Sequence, residues 1–204
     1  MLFKRLGTAL LSVLLLLTAV TSAQAADYQQ GKDYQVVNGF PEAPGNIVRE
    51  FFSYNCPHCY HQDPLFLQTE KLLKDEVDFT RTPVGAGRVN WIMSQKAYFI
   101  ADKFHLVKQV HSEIFNRIHE QHLPFQRADD LVSFFTQQGL SKDDVQQTLD
   151  SADLSLALAN YDSQTQLSGI RGVPSLLVKG KYLIVSIPKD PQALAELIRY
   201  LIKH

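Results

Sequence analysis

Cysteine is nearly absent: Cys56 and Cys59 are the only two in 204 residues. A structural disulfide stabilises most when it closes a long loop. A bridge between these two would close four residues and add little as a staple. A structural zinc site needs four ligands, and no second cysteine pair exists to complete one. An excess of one charge is also missing. Lys and Arg number 20 against 21 Asp and Glu, a formal net charge of −1. Binding to a phosphate backbone needs a basic face, so nucleic acid is excluded as the expected partner. Beyond the N-terminus no run is apolar enough to cross a bilayer. The chain has no internal repeat and no low-complexity segment.

The N-terminus does carry a signal. Lys4 and Arg5 form a short basic region, Leu10 to Val20 is almost wholly apolar, and Ala23-Gln24-Ala25 is a small-x-small cleavage site. Together they read as a secretory signal peptide cut after Ala25. An uncleaved anchor is the alternative, but the apolar stretch is shorter than the roughly 20 residues a span requires. An exported chain meets an oxidising compartment, in which a disulfide persists. The remaining residues suffice for a full core in one domain, or one domain with an insertion.

The order of elements follows from periodicity and punctuation. Tyr34 to Val37 reads as a short strand, and Ile47 to Phe52 as a buried one. A helix is expected from Pro57 to about Asp75, with Pro favoured at its first position and Pro64 placing a kink inside it. Val77 to Thr82 is a second core strand. From Asn90 to Ser168 the pattern is helical throughout, with Val107, Val110, Ile114 and Ile118 at helix spacing. Ser141 to Asp144 resembles a capping box. Ser175 to Val178 and Lys181 to Ser186 form a hairpin about Lys179-Gly180, and Asp190-Pro191 opens a last helix. The expected fold is α/β and thioredoxin-like with an inserted all-helical domain. Its expected parts are a signal peptide (1–25), a thioredoxin-like domain (26–88 and 169–204) and a helical insertion (89–168).

Cys56-Pro57-His58-Cys59 lies between a strand and a helix, the setting of a redox-active dithiol. Residues i and i+3 of a helix have Cβ atoms about 5–6 Å apart, and a disulfide needs about 3.5–4.5 Å. A slightly tightened first turn therefore accommodates both redox states. At the helix N-terminus, unpaired N–H groups and the macrodipole favour a Cys56 thiolate, and His58 adds a positive charge or a donor. Cys56 is expected to be exposed and acidic, and Cys59, one turn inside, to be the buried resolving thiol. A fold that favours the reduced thiolate gives its disulfide away, so the pair should oxidise its substrates.

Other residues admit competing readings. Cys56, Cys59 and His61 supply three potential zinc ligands and lack a fourth. His111, His119 and His122 fall near one face if their helix is continuous, and with His105 they read as a solvated helix face. Glu50 is a carboxylate in an apolar strand. It either reaches water or Arg81, or accepts the proton of Cys59 with a pKa raised by burial.

Glu50-Phe51-Phe52-Ser53-Tyr54-Asn55-Cys56-Pro57-His58-Cys59-Tyr60 resembles the active-site segment of the DsbA family of periplasmic thiol:disulfide oxidoreductases. Arg171-Gly172-Val173-Pro174, followed by Val178-Lys179-Gly180-Lys181-Tyr182, resembles that family's second signature. The resemblance spans essentially the whole chain after the signal peptide. It implies that Cys56 is the attacking cysteine and Cys59 its partner, tuned by His58, with Glu50 as the buried acid and Arg81 as its basic partner. It implies a cis Pro174 facing the pair, and client binding at Val173, Pro174 and Pro57. An acidic active-site cysteine and an oxidising disulfide are already known of that family. The implied activity donates the Cys56–Cys59 disulfide to newly exported proteins. It calls for no cofactor or metal. The implied partners are unfolded exported clients and a DsbB-like reoxidising partner in the inner membrane, with the chain itself a monomer in the periplasm. Tyr54-Asn55 departs from the aromatic pair associated with the family, and the segment after Tyr182 looks shorter, which points to a narrower client range. A disulfide isomerase or reductase, and a non-catalytic peptide-binding module, are the rival functions. A reduction potential separates the first from an oxidase, and a thiol-oxidation assay the second.

Overall fold

The structure is a computed structural model that describes residues 27–204; the signal-peptide reading falls outside these residues. Its centre is strand β2 (Ile47–Phe52), flanked in a five-stranded sheet of order β1-β5-β4-β2-β3. The other strands are β1 (Tyr34–Val36), β3 (Asp78–Pro83), β4 (Ser175–Val178) and β5 (Tyr182–Ile184). β2 runs parallel to β3 and antiparallel to β4, and the β4–β5 and β1–β5 pairs are antiparallel. The parallel pair needs a crossover, and helix α1 (Pro57–Leu72) supplies it. β5 is shorter than its apolar run: its ladder with β1 registers Tyr182 to Ile184, and single backbone bonds from Val37 N–H to Lys181 O and from Val185 N–H to Asp33 O flank it. α1 continues through Pro64 and stops at Leu72, three residues before the expected end, in a turn where Glu76 N–H donates to Leu73 O.

Alternate residues of a strand face opposite sides of the sheet. Val48 packs with Phe66 of α1 and with Leu194, Leu197, Ile198 and Leu201 of the last helix, α7 (Pro191–Ile202). Phe51, on the other face, meets Val84 and Leu177. Glu50 lies between Val48 and Phe52 on the face that carries α1.

Five helices lie between β3 and β4: α2 (Val89–Lys103), α3 (Val107–His119), α4 (Ala128–Gln137), α5 (Lys142–Leu149) and α6 (Ala152–Leu167). Side chains capture the orphan N–H groups at three helix starts. Ser141 Oγ accepts from Asp144 N–H at 3.0 Å, Ser151 Oγ from Leu154 N–H at 3.2 Å, and Asp190 Oδ1 from Ala193 N–H at 2.9 Å. The core of this helical block includes Ile100, Val110, Ile114, Phe115, Leu131 and Phe135, and it extends without a break to Phe52, Tyr54, Cys56 and Cys59. The redox pair therefore sits where the sheet meets the helical block. Lys179 and Gly180 both take positive φ (55° and 65°), the geometry of the two-residue turn expected between β4 and β5.

Candidate redox site

Cys56 is the N-cap of α1, with extended backbone (φ −92°, ψ 117°) and Pro57 at the first helical position. Its N–H donates to Ser53 O at 3.0 Å and its C=O accepts from Tyr60 N–H at 3.1 Å. Both cysteines are free thiols. The Cys59 thiol, donating toward the Cys56 sulfur, does most to lower the Cys56 pKa, to about 6. Burial opposes this. The first-turn N–H groups of Cys59 and His58 lower it further, and the His58 charge contributes least. Burial pushes the Cys59 thiol well up. Two thiols one turn apart thus have opposite acidities. The expectation of an exposed Cys56 is corrected: it is 5% exposed, because the Val173 loop covers it. The Cys56 thiol donates to Val173 O at 3.4 Å, across 117 residues of sequence, and the Val173–Pro174 peptide is cis. Pro57 and His58 are exposed at the start of the helix.

Cys56 lies in the wall of a groove of about 620 Å³, lined also by Val84, Trp91, Ile170 and Val173. Among the described residues, no three His, Cys, Asp or Glu side chains come together as a metal site. His61 is exposed and packs against the Tyr60 ring.

Glu50 is buried and does not reach water. Arg81 Nε donates to Glu50 Oε2 at 3.0 Å, and Arg81 Nη2 donates to Glu70 Oε2 at 2.9 Å. Burial outweighs the pull of the guanidinium and raises the Glu50 pKa to about 7, with the charges of Asp63 and Glu70 adding to the rise. A carboxyl that changes protonation near neutral pH suits proton transfer. The negative charge of Glu50 in turn helps hold the Cys59 pKa up.

The histidines of the helical block bear out the expectation of solvent exposure at His105 and His122 and correct it at His111 and, in part, at His119. α3 ends at His119, so His122 is off the helix, exposed and at φ 57°, and His105 is likewise an exposed positive-φ residue. His111 is buried. Burial lowers its pKa, and a carboxylate only accepts. The neutral ring therefore donates from Nε2 to Asp63 Oδ1 at 2.9 Å and accepts at Nδ1 from Tyr54 O–H at 2.9 Å. Asp63 lies on α1 one turn beyond Cys59 and is also buried. His119 Nε2 donates to Tyr54 O at 2.9 Å, and its ring stacks on Tyr60 at 4.8 Å. Asn55 Nδ2 donates to Asn90 O at 3.0 Å and to Ser94 Oγ. The two residues before Cys56 are thus tied to α2 and α3 by side-chain and backbone bonds.

Sequence reasoning missed Tyr54, Asp63, His111 and His119. The available signal was spacing. His111 follows Val107 by four residues and precedes Ile114 by three, which places it inside the apolar stripe of α3.

The sequence matches the DSBA-like thioredoxin domain family over residues 74–199. The chain belongs to that family. The matched span begins after the cysteine motif, so the motif's place in the site rests on the geometry above. Relatives cover the longer chain. The thiol:disulfide interchange protein DsbA of Pseudomonas syringae pv. tomato is 33% identical over 165 residues, covering 79% of this chain and 77% of that protein. The DsbA of Burkholderia cepacia is 30% identical, covering 96% of each. The crystal structure of Pseudomonas aeruginosa DsbA superposes with a TM-score of 0.78 at 27% identity, over 88% of this chain and 95% of that one. The fold is the thioredoxin-like fold of the DsbA family, with its helical domain inserted between β3 and β4.

Proposed function

We propose that this member of the DsbA family is a periplasmic thiol:disulfide oxidoreductase that donates the Cys56–Cys59 disulfide to newly exported proteins. The observation that carries the reading is the opposed acidity of the two thiols, Cys56 near 6 and Cys59 pushed far up by burial. In the oxidised enzyme a client thiolate attacks the Cys56 sulfur. The Cys56–Cys59 bond breaks, a mixed disulfide forms on Cys56, and Cys59 leaves and takes up a proton. A second client thiolate then attacks the client sulfur of the mixed disulfide, and Cys56 leaves as a thiolate. The client loses two electrons and two protons; Cys59 takes one proton, the other goes to solvent, and the enzyme is left with a Cys56 thiolate and a Cys59 thiol. The second step is favoured because an acidic thiol is a good leaving group.

In this reading Glu50, which titrates near neutral pH, exchanges the Cys59 proton, and Arg81 holds it in place. His58 adds to the stabilisation of the thiolate. Val173 and Pro174 offer backbone to an extended client strand, and Pro57, exposed at the start of α1, takes part in client binding in this reading. Residues 26–88 and 169–204 carry the redox pair, and residues 89–168 form the helical cover. The leader ending at Ala25 directs export, and a DsbB-like membrane protein restores the disulfide. No helix among the described residues is long and apolar enough to cross a membrane.

The test is equilibration of the purified chain with glutathione, together with oxidation of a reduced dithiol peptide. An oxidase has a potential above that of the glutathione pool and oxidises the peptide stoichiometrically. A potential as reducing as that of thioredoxin (about −270 mV) would replace the reading with a reductase.

A further inference from the structure

Two guanidinium groups on the groove beside Cys56 are in no ion pair. Arg88 and Arg171 both line it and are exposed. Among the described residues Arg49, Arg81, Arg127 and Arg199 form ion pairs, whereas Arg88 and Arg171 form none. Asp162 is the one carboxylate of the lining, and its Oδ1 already accepts from Gln95 Nε2 at 3.1 Å. The Arg88 guanidinium lies 4.8 Å over the Trp91 ring. One face of the cation is then covered by the indole, and its fork of donors remains free to meet a planar carboxylate. The chain as a whole is slightly acidic, so this local positive excess is not a general surface property. The rest of the lining is uncharged, apolar at Val84, Trp91, Ile170 and Val173 and polar at Thr165 and Gln166.

We propose that this groove selects client segments carrying Asp or Glu within about two residues of the cysteine that exchanges with Cys56. The proposal rests on the oxidase reading above and specifies its substrate. The reach follows from the chain. Val173 O is 3.4 Å from the Cys56 sulfur, and Arg171 is two residues away, at most about 7 Å of extended backbone. A client strand lying against Val173 brings residues next to its own cysteine within range of Arg171. Arg88 presents the second cation on the same groove.

Exposed ion pairs each change an equilibrium by about 1.4- to 5-fold, so two give about 2- to 25-fold. The experiment uses three synthetic dithiol peptides identical except for Asp, Asn or Lys after the first cysteine. Their oxidation by the oxidised chain is followed as kcat/KM. Each value is divided by the same peptide's rate with bis(2-hydroxyethyl) disulfide, an uncharged oxidant, which removes the effect of the neighbouring charge on the peptide thiol itself. The expected order is Asp, then Asn, then Lys, with the Asp-to-Lys ratio falling toward one at 1 M salt, where the Debye length is about 3 Å. The ratio also collapses in Arg88→Gln/Arg171→Gln. Equal normalised rates for the three peptides, or a ratio that survives both high salt and the double substitution, overturn the proposal alone. If no peptide is oxidised, the oxidase reading itself fails, and the selectivity falls with it.

Discussion

Reducing the Cys56–Cys59 pair should stabilise the fold by an amount that grows with pH between about 6 and 8. Folding lowers the Cys56 pKa to about 6, against about 8.5 for a free cysteine. A depressed acid pKa gives stability that is complete above the unfolded value and is lost as pH falls through the folded one. Discounted for solvent screening, the linkage grows from well under 1 kcal/mol at pH 6 to roughly 2 kcal/mol at pH 8. The oxidised chain has no Cys56 thiol to titrate, so the contribution appears only in the reduced form. Cys59 sets the upper limit of the window. Its raised pKa acts in the opposite sense once the unfolded thiol ionises near 8.5. Glu50, raised to about 7, gives stability present below about 4.5 and lost as pH rises through 7. Both redox forms contain it, so it cancels in their difference. Guanidinium chloride melts of both forms at pH 6, 7 and 8 measure that difference, and the loop-closure effect of the disulfide enters as a pH-independent offset. A reduced-minus-oxidised difference that changes by less than about 0.5 kcal/mol across this window would refute an acidic Cys56, since linkage requires a change of more than about 1 kcal/mol.

Three further outcomes follow from the same geometry. Thiolate absorbance should show a higher Cys56 pKa in Cys59→Ala than in Cys59→Ser, because only Ser keeps a donor toward the sulfur; His58→Ala should move it less than Cys59→Ala does, since the first-turn N–H groups remain. Tyr54→Phe leaves His111 Nδ1 buried without its donor and should cost about 1–3 kcal/mol in a denaturant melt, and a change below about 0.3 kcal/mol would show that water or another group replaces the hydroxyl. Glu50→Gln should remove an inflection near pH 7 from the rate at which a client thiol opens the Cys56–Cys59 disulfide, the step in which Cys59 takes up its proton, read by stopped-flow fluorescence, and an unaltered profile would assign that inflection to a different group.

The chemistry-bearing segments were legible in the sequence because they are local. The strand–Cys56–Pro57–helix junction, the Lys179-Gly180 turn and the Asp190-Pro191 cap each depend on a few adjacent residues with strong backbone preferences. The helical block was legible as a block, because Val107, Val110, Ile114 and Ile118 repeat at one period. What escaped was long-range pairing of polar groups. Glu50 offered two readings from sequence, and the structure shows the Arg81 ion pair without removing ionisation near neutral pH, because burial outweighs the pair. His111 was assigned to solvent as one of a histidine series. Its burial depends on Tyr54 and Asp63, 57 and 48 residues away, and no local pattern reports them. The exposure of Cys56 was misjudged for a similar reason. Its cover, Val173, comes from the far side of the helical insertion.

That insertion explains how a thioredoxin-like frame can hold its redox pair asymmetrically. A cysteine at a helix N-cap is acidic only while its sulfur stays beside the first-turn donors, and the extended residues before an N-cap have no helical bonds of their own to fix them. Here α2 grips Asn55 and α3 grips both ends of Tyr54, its hydroxyl through His111 and its carbonyl through His119. His111 also reaches Asp63 on α1, so one buried imidazole fixes the Cys56 loop relative to the helix that carries Cys59. The same helices bury Cys59 in their shared core. One block of helices therefore acts on both thiols in opposite directions. It holds the first against its donors, where the pKa falls, and encloses the second away from water, where the pKa rises.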